Sequence, residues 1–440
     1  MSPFALLFGA ALLSPIVTHT RWLKGLSLLI LAIAGFNLSL GGGVDLTYFA
    51  QTDAIRFVEG IVLMVAAAIV LHLNEDDHGT LTQLLFIVAA SMALLESTTL
   101  LSFIITFEAM SIISFVLVSN IKTEKQAEGA IKLFFTGATA TGIILFGLAL
   151  FTLSGHSIDA PLEALYEPFV LIALLVIFIG ILYKLTIFPM HAWAADSYAQ
   201  VSHTNAAILS ALIKSVVAVA TFHIVSPLLT QLNTPSIYGL ATLAVITMTL
   251  GNMLALYQKN IARILAYSSI AHAGYMLIPF AAIASQFAYT GIVYLAIAYS
   301  FMQTAVFLIL ARLHKDSNIE ILDDLKGLAQ RNPLYALLLS VQLLSLAGIP
   351  LLAGFMSKAV AFYAGVDAGL WLFVLIALLN SALSVGYYAW IIKQMYFDAP
   401  TNEKVIPNQL SFVLGELILL AGTVYFGIVA GDIFRVIITP

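Results

Sequence analysis

The chain contains no cysteine, which excludes Cys-ligated iron–sulfur clusters, zinc–thiolate centres and disulfides. Charge is almost as scarce. Asp, Glu, Lys and Arg make up 9% of the 440 residues, against about 25% in an ordinary soluble domain. The net charge of −5 is thinly spread. It forms no basic stripe for nucleic acid, and no Gly-rich phosphate loop or nucleotide motif occurs. What is present is apolar: 61% of residues are hydrophobic and the mean hydropathy is +1.02. A soluble protein of this length has nowhere to put so much apolar surface. The composition specifies an all-α polytopic membrane protein, because helices satisfy their own backbone polar groups in lipid.

A hydrocarbon core of about 30 Å needs about 20 apolar residues per helix. Runs of that kind predict fourteen transmembrane helices, at approximately 3–19, 25–40, 57–73, 81–97, 99–119, 133–153, 169–188, 205–225, 237–257, 264–284, 288–311, 334–357, 370–392 and 410–430. Only a short polar break, "ALLESTTLLSF", divides the fourth span from the fifth. The start of the chain has no basic n-region and no cleavage site, so it is expected to be a retained first helix. No long amphipathic helix is expected after the last span.

Basic residues orient the bundle. Odd-numbered loops hold thirteen of the eighteen: Arg21, Lys24, Lys122, Lys125, Lys132, Lys259, Arg263, Arg312, Lys315, Lys326, Arg331, Lys393 and Lys404. Even loops and termini hold Arg56 and Arg435. Odd loops are therefore expected in the cytoplasm and both termini on the outer, periplasmic side. The longest connection, "RLHKDSNIEILDDLKGLAQRN", reads as a cytoplasmic amphipathic linker.

The remaining three basic residues fall inside spans: Lys184 in the seventh, Lys214 in the eighth and Lys358 in the twelfth. Glu108 sits in the middle of the fifth. An ionisable group at a helix centre costs about 2.5–3.5 kcal/mol on insertion scales. Four total on the order of 10 kcal/mol, as much as the whole stability of a typical domain. Burial disfavours a lysine's charge and a nearby carboxylate restores it, so moving one charge can load or unload a proton. A purely structural reading stays open: Glu108 pairs with one lysine and the others snorkel or bond to carbonyls.

Two of the lysines stand beside helix breakers, Lys184 before Pro189 and Lys358 after Pro350. The two sites lie five spans apart, which predicts two inverted five-helix repeats with the seventh and twelfth helices broken. Each proline taken alone also fits a plain packing kink. His223, Tyr299 and Gln303 are candidates for a hydrated path, with His272 and Glu416 behind them. His272 reads more simply as a packing residue among small neighbours, and Glu416 as a residue facing a partner subunit. His191, His203, His223 and His272 form no facing pair on two spans for a bis-histidine haem.

Three stretches carry a family resemblance: "GNMLALYQKNIARILAYSSIAHAGYML", "FEAMSIISFVLVSNIKTEKQAEGAIKLFFTGATATGIILFGLAL" and "SLAGIPLLAGFMSKAVAF…LLNSALSVGYYAWIIKQMYF". They resemble the antiporter-like subunits of respiratory complex I, most of all the N-subunit family of bacterial NADH:quinone oxidoreductase (NADH dehydrogenase subunit 2 type), within the wider Mrp antiporter-like proton-translocating family. The likeness covers roughly residues 80–400. The resemblance implies a proton relay through Glu108, Lys184, Lys214 and Lys358. After the seventh helix the family usually reads "HxWxPDxxxxAPTPV". Here His191, Trp193 and Asp196 are kept, Ala195 replaces one proline and Val201–Thr204 replaces the "APTP" turn, which puts the geometry of 194–204 in question.

The expected organisation is one transmembrane domain, 1–440, made of helices 1–3 (1–78), a first repeat of helices 4–8 (79–225), a second of helices 9–13 (236–397) and helix 14 (408–440). The expected function is that of a proton-translocating, non-redox subunit of a complex I-type NADH:quinone oxidoreductase. It has no catalytic, cofactor-binding or metal site of its own. NADH, FMN, iron–sulfur clusters and quinone belong to partner subunits. Those partners are L-, M-, K-, J-, A- and H-like membrane subunits, a peripheral redox arm and lipids, in a bacterial or archaeal inner membrane, and no nucleic acid. The alternatives are the equivalent subunit of a membrane-bound hydrogenase or formate hydrogenlyase, an Mrp-type Na+/H+ antiporter, a solute carrier for anions, and a structural scaffold.

Overall fold

The computed structural model describes residues 3–14, 17, 20–39, 52–74, 77–119, 123–159, 167–400 and 405–429. Lys122, Lys404 and Arg435, three residues behind the expected orientation, lie outside them, as do both ends of the chain. The described residues are helical throughout: α1 Pro3–Leu13, α2 Thr20–Ser39, α3 Asp53–His72, α4 His78–Leu95, α5 Leu100–Leu117, α6 Glu124–Leu153, α7 Pro168–Leu185, α8 Ala192–Gln200, α9 His203–Ala207, a π-helical turn Ile208–Ile213, α10 Lys214–Leu229, α11 Thr234–Leu256, α12 Ile261–Ala281, α13 Ala288–Ser317, α14 Leu328–Arg331, α15 Pro333–Ala347, α16 Ala353–Asp367, α17 Trp371–Phe397 and α18 Leu410–Ile428. An isolated antiparallel bridge joins Asn260 and Ile321.

Eleven of the described helices are long and apolar enough to cross a membrane, counting α9, the π turn and α10 as one. At the first and twelfth expected spans the apolar helices are shorter, Pro3–Leu13 and Pro333–Ala347. The twelfth expected span is not continuous: it divides into α15 and α16.

Local chemistry explains the boundaries. The thin division between α4 and α5 holds because Thr99 and Ser102 form a reciprocal capping box, with both backbone-to-hydroxyl distances 3.2 Å. Thr123, Asn233, Asn260 and Asn332 cap α6, α11, α12 and α15 in the same way, each side chain accepting from a backbone N–H in the first turn. The long polar connection turns out to be mostly ordered. Its first residues extend α13 to Ser317, and its middle is clipped to the α11–α12 turn by Ile261 N–H to Glu320 O (3.0 Å) and Leu322 N–H to Lys259 O (3.0 Å).

The helices are not equally buried. The whole apolar window of α13 is inside the bundle, as is 94% of those of α12 and of α9–α10. Only 28% of that of α6 and 33% of that of α17 are covered. The polar residues of α10, α12 and α13 thus lie far from the lipid-facing surface. Helices α11 and α12 meet closely, because a side chain at Gly251 or Gly274 would strike the facing backbone at 2.5 and 2.6 Å.

Candidate functional site

Two helix breaks organise the buried charges. Helix α7 stops at Leu185, and Thr186 turns left-handed at φ 58°. Its N–H donates to Tyr183 O, and the Ile187 N–H donates to Leu182 O, both at 3.0 Å. Helix α15 stops at Ala347 in the same pattern: Gly348, at φ 93°, donates to Ser345 O (2.9 Å), and Ile349 donates to Leu344 O (3.0 Å). Both are Schellman ends. The helices are therefore ended by a left-handed residue, and Pro189 and Pro350 follow in the connections.

Lysines fill these breaks. Lys214, which has no solvent exposure, donates to Thr186 Oγ1 (2.7 Å), to Ser269 O (3.0 Å) and to the Ser269 hydroxyl. It therefore ties α10 to the end of α7 and to α12. Lys358 donates to Leu346 O (2.8 Å), Ala347 O (3.3 Å) and Ser381 Oγ (3.1 Å), taking up carbonyls that the end of α15 leaves open.

Lys184 and Glu108 lie on the other side of the first break and make no direct ion pair. Lys184 donates to Ser114 Oγ on α5 (3.2 Å), with the Phe115 ring centroid 5.7 Å away. Glu108, half-buried on α5, accepts from Thr141 Oγ1 on α6 (2.9 Å), and its second oxygen has no partner. Hydroxyls on two different helices, Ser114 on α5 and Thr141 on α6, thus hold base and acid apart from each other.

Between Lys214 and Lys358 runs a line of buried rings. Lys214 Nζ is 6.0 Å from the centroid of Tyr299, Tyr299 is 5.2 Å from His272, His272 is 5.5 Å from Tyr275, and Tyr275 is 5.0 Å from Lys358 Nζ. The His272 Nδ1 contacts Ser268 O (3.0 Å), while its Nε2 and the Tyr299 hydroxyl have no partner. His272, which sequence reasoning ranked as a packing residue, is therefore the one imidazole between the two lysines. The sequence signal was its place on a helix with Ser268 and Ser269, whereas its nearness to Lys358 depends on how α12 packs against α16.

Gln303 lies one turn along α13 from Tyr299. Its amide donates to Leu265 O (3.3 Å) and its Oε1 has no partner. His223 is not brought to either lysine: it is half-buried toward the far end of α10. Glu416 corrects its expectation. It is 1% exposed, within the chain, on a helix packed against α3, α13 and α16, and neither carboxyl oxygen has a partner.

The divergent segment 194–204 is ordered as α8 and α9, since Ala195 permits a helix where a proline resists one. Asp196 anchors it through Lys132 on α6 (2.6 Å) and Arg263 on α12 (2.8 Å). Ser197 Oγ donates to Gly129 O, and Asn205 Nδ2 to Leu117 O, both at 2.8 Å.

Comparison with known proteins fits this arrangement. The family model described as "NADH:quinone oxidoreductase/Mrp antiporter, TM" matches residues 97–384. F(420)H(2) dehydrogenase subunit N of Methanosarcina mazei is 32% identical, over 96% of this chain and 92% of its own length. NADH-quinone oxidoreductase subunit N of Trichlorobacter lovleyi is also 32% identical, over 94% of this chain and 89% of its own. A chain of the Thermus thermophilus respiratory complex I with bound aureothin superposes with a TM-score of 0.83 at 27% identity, covering 97% of this chain and 98% of that one. The chain belongs to the NADH:quinone oxidoreductase/Mrp antiporter transmembrane family, among its N subunits.

Proposed function

We propose that this N-type chain is the proton-translocating, non-redox membrane subunit of a complex I-type NADH:quinone oxidoreductase. The observation that carries the reading is the buried line from Lys214 through Tyr299, His272 and Tyr275 to Lys358. These lysines are held only by neutral hydroxyls and carbonyls, so none of the groups they bond supplies a counter-charge. A charge change arriving from a neighbouring subunit alters the Glu108–Lys184 relation across Ser114 and Thr141. Lys184 then exchanges a proton with Lys214 across the Thr186 break, and Lys358 passes it toward the outer face.

The finer reading follows from the same family. Fourteen helices form two inverted five-helix repeats, 79–225 and 236–397, flanked by 1–78 and 408–440. The termini lie on the periplasmic side of a bacterial or archaeal inner membrane. L-, M-, K-, J-, A- and H-like subunits and a peripheral arm carrying NADH, FMN, iron–sulfur clusters and quinone complete the enzyme.

The test is the tagged complex, purified from its host and reconstituted in vesicles. A quinone-reductase arm should co-purify, and Lys214→Ala and Lys358→Ala should each reduce proton pumping per electron at least about tenfold. Normal pumping by Lys358→Ala would discard the route. Co-purifying hydrogenase or Mrp subunits would move the chain to one of the alternative hosts.

A further inference from the structure

A cavity of about 1380 Å³ opens at one end of the bundle, among the α3–α4, α5–α6, α8–α9, α11–α12 and α13–α14 connections. Its wall carries both His203, at the start of α9, and His314, near the end of α13. Their ring centroids are 5.4 Å apart, with the ring planes at 82°. Each ring is half-buried, and each Nδ1 is buried without a hydrogen bond. The His314 Nδ1 stands 3.8 Å from Glu320 Oε1 on the cavity side. His203 lies in the segment where the sequence leaves the family pattern.

From this pair a seam leads inward. Helices α9–α10 and α13 run antiparallel, and two contacts fix their register: His203 against His314, and Lys214 over the Tyr299 ring at 6.0 Å. Between those points lie Ser210, in the π turn one turn before Lys214, and Gln303, one turn beyond Tyr299. Both are fully buried, and Ser210 Oγ and Gln303 Oε1 have no partner. A dry apolar seam would contain no such atoms, because burying an unpaired hydroxyl or amide oxygen is unfavourable. Orphaned polar atoms spaced along one interface are positions that take water, and water between polar side chains conducts protons. The π turn falls at the same level, and irregular backbone of that kind is tolerated in a bilayer where it borders a polar path.

We infer that His203 and His314 form the proton-collecting site of this chain, which feeds Lys214 along the α9–α10/α13 seam through Ser210 and Gln303. The inference rests on the proton-translocating reading above. His314 takes one proton from water in the cavity, with Glu320 beside it, and passes it to His203. The His203 imidazolium releases a proton along the seam to the neutral amine of Lys214. Both rings return to neutral, and one proton from the cavity has become an ammonium hydrogen.

The experiment uses the intact complex in vesicles, with His203→Ala, His314→Ala and the filling variant His203→Phe beside Lys214→Ala. Proton pumping at high turnover should fall about tenfold or more in the two alanine variants, the scale of losing a positioned proton carrier. Added imidazole, which reaches the cavity, should restore much of it in the alanine variants and none of it in His203→Phe. Normal pumping in both alanine variants, or a loss that imidazole relieves in neither, overturns the inference. If Lys214→Ala alone stops pumping, the relay stands and only the collecting site is wrong. If Lys214→Ala pumps normally, the relay itself fails.

Discussion

The two helix breaks use one backbone device and two side-chain solutions. At the end of α15 the left-handed residue is Gly348, where φ 93° carries no Cβ penalty, and the lysine bonds the freed carbonyls directly. At the end of α7 the left-handed residue is Thr186, a β-branched side chain at φ 58°, a conformation that costs roughly 1–2 kcal/mol. Its hydroxyl accepts from Lys214, which arrives from another helix. The second break is therefore closed mostly by its own chain segment, since Lys358 follows it there, with Ser381 on α17 the added partner. The first is a junction of three helices, and its strain is retained where a hydroxyl meets a buried amine. On the proposed route, a proton exchanged between Lys184 and Lys214 crosses that junction of α7, α10 and α12.

The sharpest way to break the comparison is to damage the second site. Gly354, at the start of α16, lies so close to α15 that an added Cβ would sit 1.7 Å from Ser345 O and 2.6 Å from its carbonyl carbon. The Gly354 N–H also donates to Ser345 Oγ (3.1 Å), so the two half-helices are closed on each other. Gly354→Ala should destabilise the protein by at least about 3 kcal/mol, because a backbone clash cannot be relieved by a rotamer. The measurement is the yield of assembled complex together with its half-life at raised temperature. No counterpart glycine closes α7 on α8, where Ala194 and Ala195 are buried instead.

How far the sequence reached follows from what each feature depends on. Apolar length and scarce charge made the helices readable, and the four buried ionisable residues stood out because each is costly in lipid. The breaks were placed to within a few residues by their prolines, yet the agent that ends each helix is a left-handed residue before the proline. Thr186 gives no such signal, being a poor choice for that conformation. His203 and His314 are 111 positions apart, and His314 lies in a stretch that read as a loop until α13 proved to run on to Ser317. The separation of Glu108 from Lys184 depends on Ser114 and Thr141, hydroxyls that look ordinary inside apolar helices.

A smaller effect separates stability from transport at the first break. Thr186→Val keeps the branched shape and its strain but removes the acceptor for Lys214, which retains Ser269. It should cost about 1 kcal/mol, the net worth of a hydrogen bond, and slow proton transfer through Lys214. Thr186→Gly loses the same hydroxyl but relieves the left-handed strain, so its stability should stay within about 0.5 kcal/mol of the original. Thermal unfolding of the purified complex and pumping in vesicles measure the two quantities. Equal pumping by Thr186→Val and the original protein would show that Lys214 needs no hydroxyl from the break.

The smallest effect tests what ends α15. Pro350 is exposed and follows a Schellman end that Gly348 and Ile349 already complete with bonds of 2.9 and 3.0 Å. If the left-handed glycine stops the helix, Pro350→Ala leaves the break in place. It then costs only about 0.5 kcal/mol, through the greater freedom of the unfolded chain. Pumping should be unchanged, because Lys358 then keeps both of its carbonyl partners, Leu346 O and Ala347 O. If instead the proline is what keeps α15 and α16 from joining, its loss would let the helix run on through 348–352, withdraw Leu346 O and Ala347 O from Lys358, and stop transport. The stability change and the pumping rate move together in that case and apart in the first, so one variant decides which residue makes the break.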